Sequence, residues 1–254
     1  MNRILTKESV RCFTGSDFTP RDIITTGEHP ISVYLHWPEK DLLSLSPFIQ
    51  LMWDSLINGM IDAYDTLKGE GCYPVLVVLD EIFRTGMPKL PEYSTTVCGR
   101  NISLFATAQS KSQLDAAYGK AKADEFLGQL DCAIFHRPGK LDNATANFIE
   151  EALGYKSGFA HSKNEHENGT SNGENETKIP VMPAHEIKMI GNDEIIGFRS
   201  DYWPFRAKRL DWRDFPELKK RANLPTPRIP VSPSRESNGY HIPRSPIPLF
   251  LASR

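Results

Sequence analysis

The sequence predicts an α/β protein with a mostly parallel sheet and helices on both of its faces. Three observations predict it. Short apolar runs rich in β-branched residues stand at 74–80, 102–108 and 132–135, each of strand length and bounded by turn residues. Segments of helical periodicity lie between them, and strands buried on both faces need that cover. The run from Tyr73 to Leu79 stops abruptly at Asp80 and Glu81. Two carboxylates are thereby delivered to the sheet edge where open α/β folds bind ligands.

In order, residues 1–30 read as an entry segment ending at the turn Gly27-Glu28-His29-Pro30. The run 31–37 is β-branched and aromatic, closed by Pro38, and predicts a strand. Leu45, Ile49, Met52, Leu56 and Met60 recur every three or four residues, one apolar stripe of a helix over 42–67 that Gly69 ends. The acid-tipped strand 74–80 follows, then a helix over 89–98 beyond the break Gly86-Met87-Pro88. A strand over 102–108 ends at Gln109-Ser110, and a short helix over 113–118 is stopped by Gly119. The strand 132–135 precedes a helix over 141–153 stopped by Gly154. Residues 161–178 contain no aliphatic or aromatic side chain and predict a flexible polar insertion, because nothing in them can be buried. A further strand is expected at 194–199. The region 211–254 reads as a basic, proline-rich tail, extended and mostly non-globular, with seven prolines between Pro225 and Pro248.

Composition excludes several classes. A formal net charge of −2 gives no global nucleic-acid signature, so basic character must be local. It is local: Arg206 to Arg254 holds eleven Lys/Arg against four Asp/Glu, a tail fit for nucleic-acid phosphates or simply solvated. No apolar run reaches the roughly 18 residues of a membrane span, and Met1 to Arg11 lacks a signal-peptide core. Four widely spaced cysteines without a C-x-x-C pair fit reduced, cytosolic thiols and indicate no zinc site.

The strand tips carry the chemistry. An apolar strand ending in Asp-Glu is how nucleotide-hydrolysing sheets hold magnesium, through Asp80, and polarise the attacking water, through Glu81. Many α/β proteins instead end a strand in an acid that caps the next helix. Gln109 ends the neighbouring strand, where its amide reaches a γ-phosphate or the water, or caps the following helix. Arg100, in Gly99-Arg100-Asn101, precedes that strand and lies near the opposite edge. It suits an arginine finger acting on a neighbouring subunit, or an exposed loop arginine without a role. The phosphate-cradling counterpart is missing from the sequence: Gly119-Lys120 and Gly139-Lys140 lack both the preceding glycine and the following Ser/Thr of a Walker A loop.

The order of these pieces resembles type IV secretion coupling proteins, the TraG/TraD-type conjugative DNA-transfer motors. The likeness rests on Val77-Val78-Leu79-Asp80-Glu81 with Gly86, on Gly99-Arg100, and on Ala108-Gln109-Ser110 with Gln113-Leu114 and Tyr118-Gly119. Phe18-Thr19-Pro20 and Thr145-Ala146-Asn147-Phe148-Ile149 extend it over roughly residues 12–210. The resemblance implies that 31–210 is the C-terminal half of a RecA-like P-loop motor domain, without its Walker A half. It implies Asp80 for magnesium, Glu81 for water activation, Gln109 for γ-phosphate sensing and Arg100 as a finger in trans. It further implies Mg-ATP as cofactor, and DNA, relaxosome proteins and secretion-channel components as partners. A homo-hexamer and a place at the inner face of the plasma membrane, held there through partners, are also implied.

Two functions are expected from this. One is part of a coupling ATPase, inactive alone because its P-loop residues come from another chain. The alternative is a non-catalytic docking module for relaxosome or channel proteins. A third reading, another ring ATPase such as an FtsK-like translocase, fits the Gln-Ser, Gln-Leu and Tyr-Gly pattern less well. A half-domain with an open sheet edge is also expected to self-associate.

Overall fold

The computed structural model describes residues 18–25, 31–37, 39–166 and 169–225, and of 159–176 the backbone only. The turn 27–30, most of the entry segment and the proline-rich stretch beyond 225 lie outside the described residues. The chain forms two units, 1–209 and 210–254.

The first unit opens with helix α1 (Pro20–Ile24), which begins with a capping box: Thr19 and Asp22 each satisfy the other's backbone N–H. Pro20 of α1 meets the long helix α2 (Leu42–Leu67) at Gly59, where a Cβ would come within 2.6 Å of the proline ring. Only glycine permits that approach. The buried stripe of α2 is Ile49, Trp53, Ile57 and Met60, with Leu45 and Met52 partly buried beside it. The stripe is thus turned by about one residue from the one the spacing suggested, because Trp53 seeks both burial and an acceptor. Its indole N–H donates to the Thr85 carbonyl at 2.7 Å.

Strand β1 (Val75–Leu79) leads through the acid pair into the single-turn helix α3 (Ile82–Thr85) and then α4 (Leu90–Val97). Strand β2 (Ile102–Ala106) pairs with β1 in parallel, Val75 opposite Ile102 and Leu79 opposite Ala106. Helix α5 (Lys111–Tyr118) and helix α6 (Lys120–Gly128) meet at Gly119, whose φ of 81° turns the chain between them. The sequence reading stops at Gly119 and misses α6, since one glycine ends one helix and opens the next. Val77, Leu79, Ile82, Leu90, Val97, Ile102, Leu114, Ala123 and Phe126 join the α2 stripe in the main core.

A second core lies around Ile149, Ile187, Ile190 and Ile196. Its residues come from strand β3 (Cys132–His136), helix α7 (Asn143–Leu153), the short helix α8 (Ala184–Ile187), strand β6 (Glu194–Arg199) and the turns at Met182 and Ile190, while strands β4 (Tyr155–His166), β5 (Gly169–Pro180) and β7 (Tyr202–Lys208) complete the region. Here the expectation of a mostly parallel sheet is met only in part. Strands β3, β6 and β7 form a separate antiparallel sheet in the order β3-β6-β7, and among the described residues the parallel pairing is that of β1 with β2. Apolar runs mark strands but carry no pairing direction.

Two further expectations are revised. Residues 31–37 form no ladder among the described residues, yet they keep the alternation of a strand: Val33, Leu35 and Trp37 turn inward. Leu35 and Trp37 pack on the main core, and the Trp37 indole donates to the Arg84 carbonyl at 3.2 Å. Of the polar stretch 161–178, residues 161–166 and 169–178 lie in the paired strands β4 and β5, whose backbone ladder runs from Tyr155 opposite Pro180 to His166 opposite Gly169. A backbone ladder needs no apolar side chain, so composition gives no sign of it. Strand β7, not placed from the sequence, contains Pro204, and proline is tolerated there because β7 is an edge strand.

In the second unit, Trp212–Asp214 form one 3₁₀ turn and Pro216–Ala222 a seven-residue helix, α9. The tail therefore starts as a helix rather than an extended chain. Pro216 opens it, and Lys219, Lys220 and Arg221 in its last turn complement the helix dipole.

Candidate active site

Parallel pairing puts the carboxyl ends of β1 and β2 side by side, and the candidate site is what stands there. Asp80 and Glu81 follow β1; Thr107, Ala108 and Gln109 follow β2. Asp80 is exposed. Glu81 is a left-handed residue with φ 62° and ψ 88°, uncommon for a side chain with a Cβ. This kink ends the strand and starts α3. Glu81 makes no side-chain hydrogen bond that caps α3, so helix capping does not explain it.

Its carboxylate faces the neighbouring strand tip instead. Gln109 donates from Nε2 to Glu81 Oε1 at 2.8 Å. Arg84, one turn along α3, pairs with Glu81 Oε2 at 3.2 Å, and the Glu81 side chain keeps 22% of its exposure. Gln109 is held in turn by Gln113: the Gln109 backbone N–H donates to Gln113 Oε1 at 3.1 Å, and Gln113 Nε2 donates back to Gln109 Oε1 at 3.2 Å. Capping of α5 falls to Ser110, whose hydroxyl accepts from the Gln113 N–H. Gln109 is thus free of the capping role and aimed at Glu81.

Thr107 completes the cluster. Its N–H donates to the Leu79 carbonyl at 3.0 Å and its carbonyl accepts from the Ile82 N–H at 2.8 Å. Its hydroxyl accepts from the Glu81 N–H at 2.8 Å and donates to Asp80 Oδ1 at 3.4 Å. Sequence reasoning took Thr107 as one more β-branched strand residue and passed over Arg84. The hydroxyl at a strand tip beside an acid pair was the available signal.

Arg100 stands apart from these residues, as its position before β2 requires. Its Nε and one terminal nitrogen both donate to Asp65 of α2 at 2.9 Å, and Nη1 donates to the Thr96 carbonyl at 2.7 Å. This fork holds the Asp65 carboxyl below the usual range and raises the guanidinium. Arg100 is a fixed, oriented group rather than a loose loop side chain.

Lys111 follows the Gln109-Ser110 pair and is the buried cation of the region, its side chain 6% exposed. It lies between Asp115 and Asp124, 2.7 Å from the latter, and 5.8 Å from the centre of the Phe148 ring. Burial lowers its pKa, but the bonds to the two carboxylates outweigh this and the net shift is upward. Its backbone N–H donates to Thr145 Oγ1 at 2.9 Å, so the turn after Gln109 is tied to α7.

Among the described residues no group of three His, Cys, Asp or Glu is arranged to hold a metal ion. No helix of the described residues is long and apolar enough to cross a membrane.

A family model described as type IV secretory system conjugative DNA transfer matches residues 3–235. No curated protein matches the chain. Among solved structures, the chain is similar to a bacterial conjugative coupling protein, TrwBdeltaN70, in a trigonal form with sulphate. The identity is 16% and the TM-score 0.57, over 82% of this chain and 51% of that one. It is similar also to the plasmid coupling protein TrwB in complex with ADP and Mg2+, at 18% identity and a TM-score of 0.57, over 77% of this chain and 43% of that one. At such identities the likeness shows the fold, an α/β fold of the RecA-like kind. This chain spans about half the length of the coupling-protein structures it matches.

Proposed function

We propose, because this chain belongs to the type IV secretory system conjugative DNA-transfer family, that its strand-tip cluster is the magnesium- and water-facing half of an ATP-hydrolysing site. The observation that carries this reading is the 2.8 Å bond between Gln109 and Glu81. It joins two groups that lie 28 residues apart, at the strand edge where an attacking water must be oriented. Asp80 offers exposed carboxylate oxygens, a hard donor suited to magnesium. With no multi-residue cage around it, Asp80 would touch the ion through water while the ion arrives on its phosphates. Magnesium bound with ATP would neutralise charge on the β- and γ-phosphates. Glu81 orients and deprotonates the water; each of its oxygens keeps a lone pair after bonding Gln109 and Arg84. Gln109 reads the γ-phosphate position and passes it to Glu81. Arg100, oriented by Asp65, reaches a neighbouring subunit's site from the far edge of the sheet, as a hexamer would allow.

The sequence contains no Walker A loop, so the phosphate cradle is supplied by residues outside it, and the chain alone turns over ATP negligibly. In the complete assembly the work is the transfer of DNA and relaxosome proteins into a secretion channel at the inner face of the membrane. The test is reconstitution with a separately produced P-loop half. Mg-ATP hydrolysis is expected to return and to fall by about a hundredfold or more in Glu81→Gln. Hydrolysis by the chain alone that vanishes in Glu81→Gln would overturn the proposed inactivity.

A second reading, a docking module without catalysis, is favoured by one observation: Arg84 and Gln109 hold both oxygens of Glu81. Binding of relaxosome or channel proteins with no hydrolysis in any reconstitution would select it.

A further inference from the structure

Glu81 is held in a backbone conformation that an L-residue adopts only when its surroundings impose it. The imposing group is Thr107. Four hydrogen bonds from this one residue bracket the Asp80–Glu81 dipeptide: two from its backbone, to the carbonyl of Leu79 and from the N–H of Ile82, fix the residues on either side. The other two come from its hydroxyl, which accepts the Glu81 N–H and donates to Asp80 Oδ1. The hydroxyl therefore acts on both members of the acid pair, orienting the peptide plane between them and one carboxylate oxygen.

We propose that Thr107 is the positioning residue of this site, and that its hydroxyl sets the angle at which Asp80 and Glu81 are presented to magnesium and water. This rests on the reading of the cluster as an ATP-hydrolysing site. Thr107 itself touches neither the water nor the ion; it acts through the peptide it holds. A parallel pair of strands gives it this office, since the register that sets Leu79 opposite Ala106 brings residue 107 level with the turn after residue 79.

The test uses two variants of the full chain. Thr107→Val keeps both backbone bonds and the shape but removes the hydroxyl. Thr107→Ser keeps the hydroxyl. Because the site faces water, the valine variant leaves an N–H that solvent can satisfy, and it should fold. By NMR, the Glu81 amide should exchange about tenfold faster in Thr107→Val, with the Val77 and Leu104 amides unchanged, and return to the parent rate in Thr107→Ser. In the reconstituted motor, kcat should fall by about a hundredfold in Thr107→Val, while KM for ATP stays within about twofold and Thr107→Ser restores turnover.

An unchanged Glu81 amide in Thr107→Val overturns the proposal on geometry. Faster exchange with undiminished kcat overturns it on function and leaves the ATPase reading standing. No hydrolysis by the unaltered chain in any reconstitution overturns the ATPase reading, and the proposal with it.

Discussion

The two cores of this chain treat their sheets differently. The antiparallel sheet β3-β6-β7 packs one face against α7 and α8, with Phe135 edge-on to Phe198 at 5.7 Å, and leaves Ile134 (54%) and Phe205 (42%), both opposite Gly197, exposed on its other face. The parallel pair β1-β2 buries Val77, Leu79 and Ile102 against the main core, but its other face exposes Leu76 (63%), Val78 (56%) and Phe105 (55%). These three lie together, since Val78 is opposite Phe105 and Leu76 precedes it by two residues. Two-stranded parallel sheets with an open apolar face are not independently stable arrangements. Both sheets leave apolar side chains uncovered, but the antiparallel one has three strands and tolerates an open face, whereas the pair bearing the acid residues is two-stranded and parallel, the arrangement that needs cover on both faces. Placement of the candidate site at the less complete sheet is what the reconstitution experiment exploits.

The comparison predicts unequal costs. Leu79→Ala, in the larger core, should cost about 4 kcal/mol, and Ile196→Ala, in the four-residue core, about 2 kcal/mol. Urea unfolding followed by tryptophan fluorescence and far-ultraviolet circular dichroism measures both. Equal losses with coincident transitions would mean that the two cores melt as one and would break the comparison.

Lys111 is the joint between them. It lies on α5, beside the site, yet its ammonium reaches Asp124 of α6 and the Phe148 ring of α7, and its N–H bonds Thr145. Lys111→Met should cost about 1–2 kcal/mol, because the partly exposed Asp115 and Asp124 then face each other without their cation. The loss should appear as earlier melting of the antiparallel region, with the two unfolding transitions separating. A single transition shifted as a whole would show that Lys111 serves overall stability rather than the joint.

The open face makes a milder claim. Replacing Val78 and Phe105 together by lysine should weaken self-association by about tenfold or more in sedimentation equilibrium, with the fold intact. Association unchanged by both lysines would show that the apolar face is not what attracts a second copy.

How far the sequence foretold these features depends on what each one needs. The approach of Asp80, Glu81 and Gln109 was legible, because parallel strands end on the same edge and bring their last residues together. The placement of Arg100 away from them was legible for the same reason. Its partner Asp65 was not, since a pair 35 residues apart is decided by how α2 lies against the turn before β2. Thr107 was hidden because a threonine is as good a strand residue as it is a hydroxyl donor. The direction of β3 against β6 was hidden as well: alternation records which face is buried, not which way the neighbour runs. Helix α2 was the most legible element, found over 42–67, because 26 residues of periodicity leave little room for another period.

The smallest effect concerns the ties between α2 and the segment entering α4, on the covered side of the parallel pair. Asp54 of α2 accepts from Lys89 Nζ at 2.6 Å and from the Tyr93 hydroxyl at 2.5 Å. The bond from Lys89, then that from Tyr93, holds its carboxyl below the usual range against a small opposing effect of burial. The folded-state pKa is lowered, so the stabilisation is complete above the unfolded value of about 3.9 and is lost as pH falls through the folded pKa. In a half-exposed pair screened by water it amounts to about 0.5–1 kcal/mol. Asp54→Asn should therefore lower stability by that amount at pH 7 and make the decline between about pH 5 and pH 3 shallower. Urea midpoints across that range check it. An unchanged acid slope would mean that other carboxylates, such as Glu92 paired with Lys122 at 2.6 Å, set the acid response. Helix α2 would then be held to the site-bearing sheet mainly by its apolar stripe, the Trp53–Thr85 bond and the Asp65–Arg100 pair.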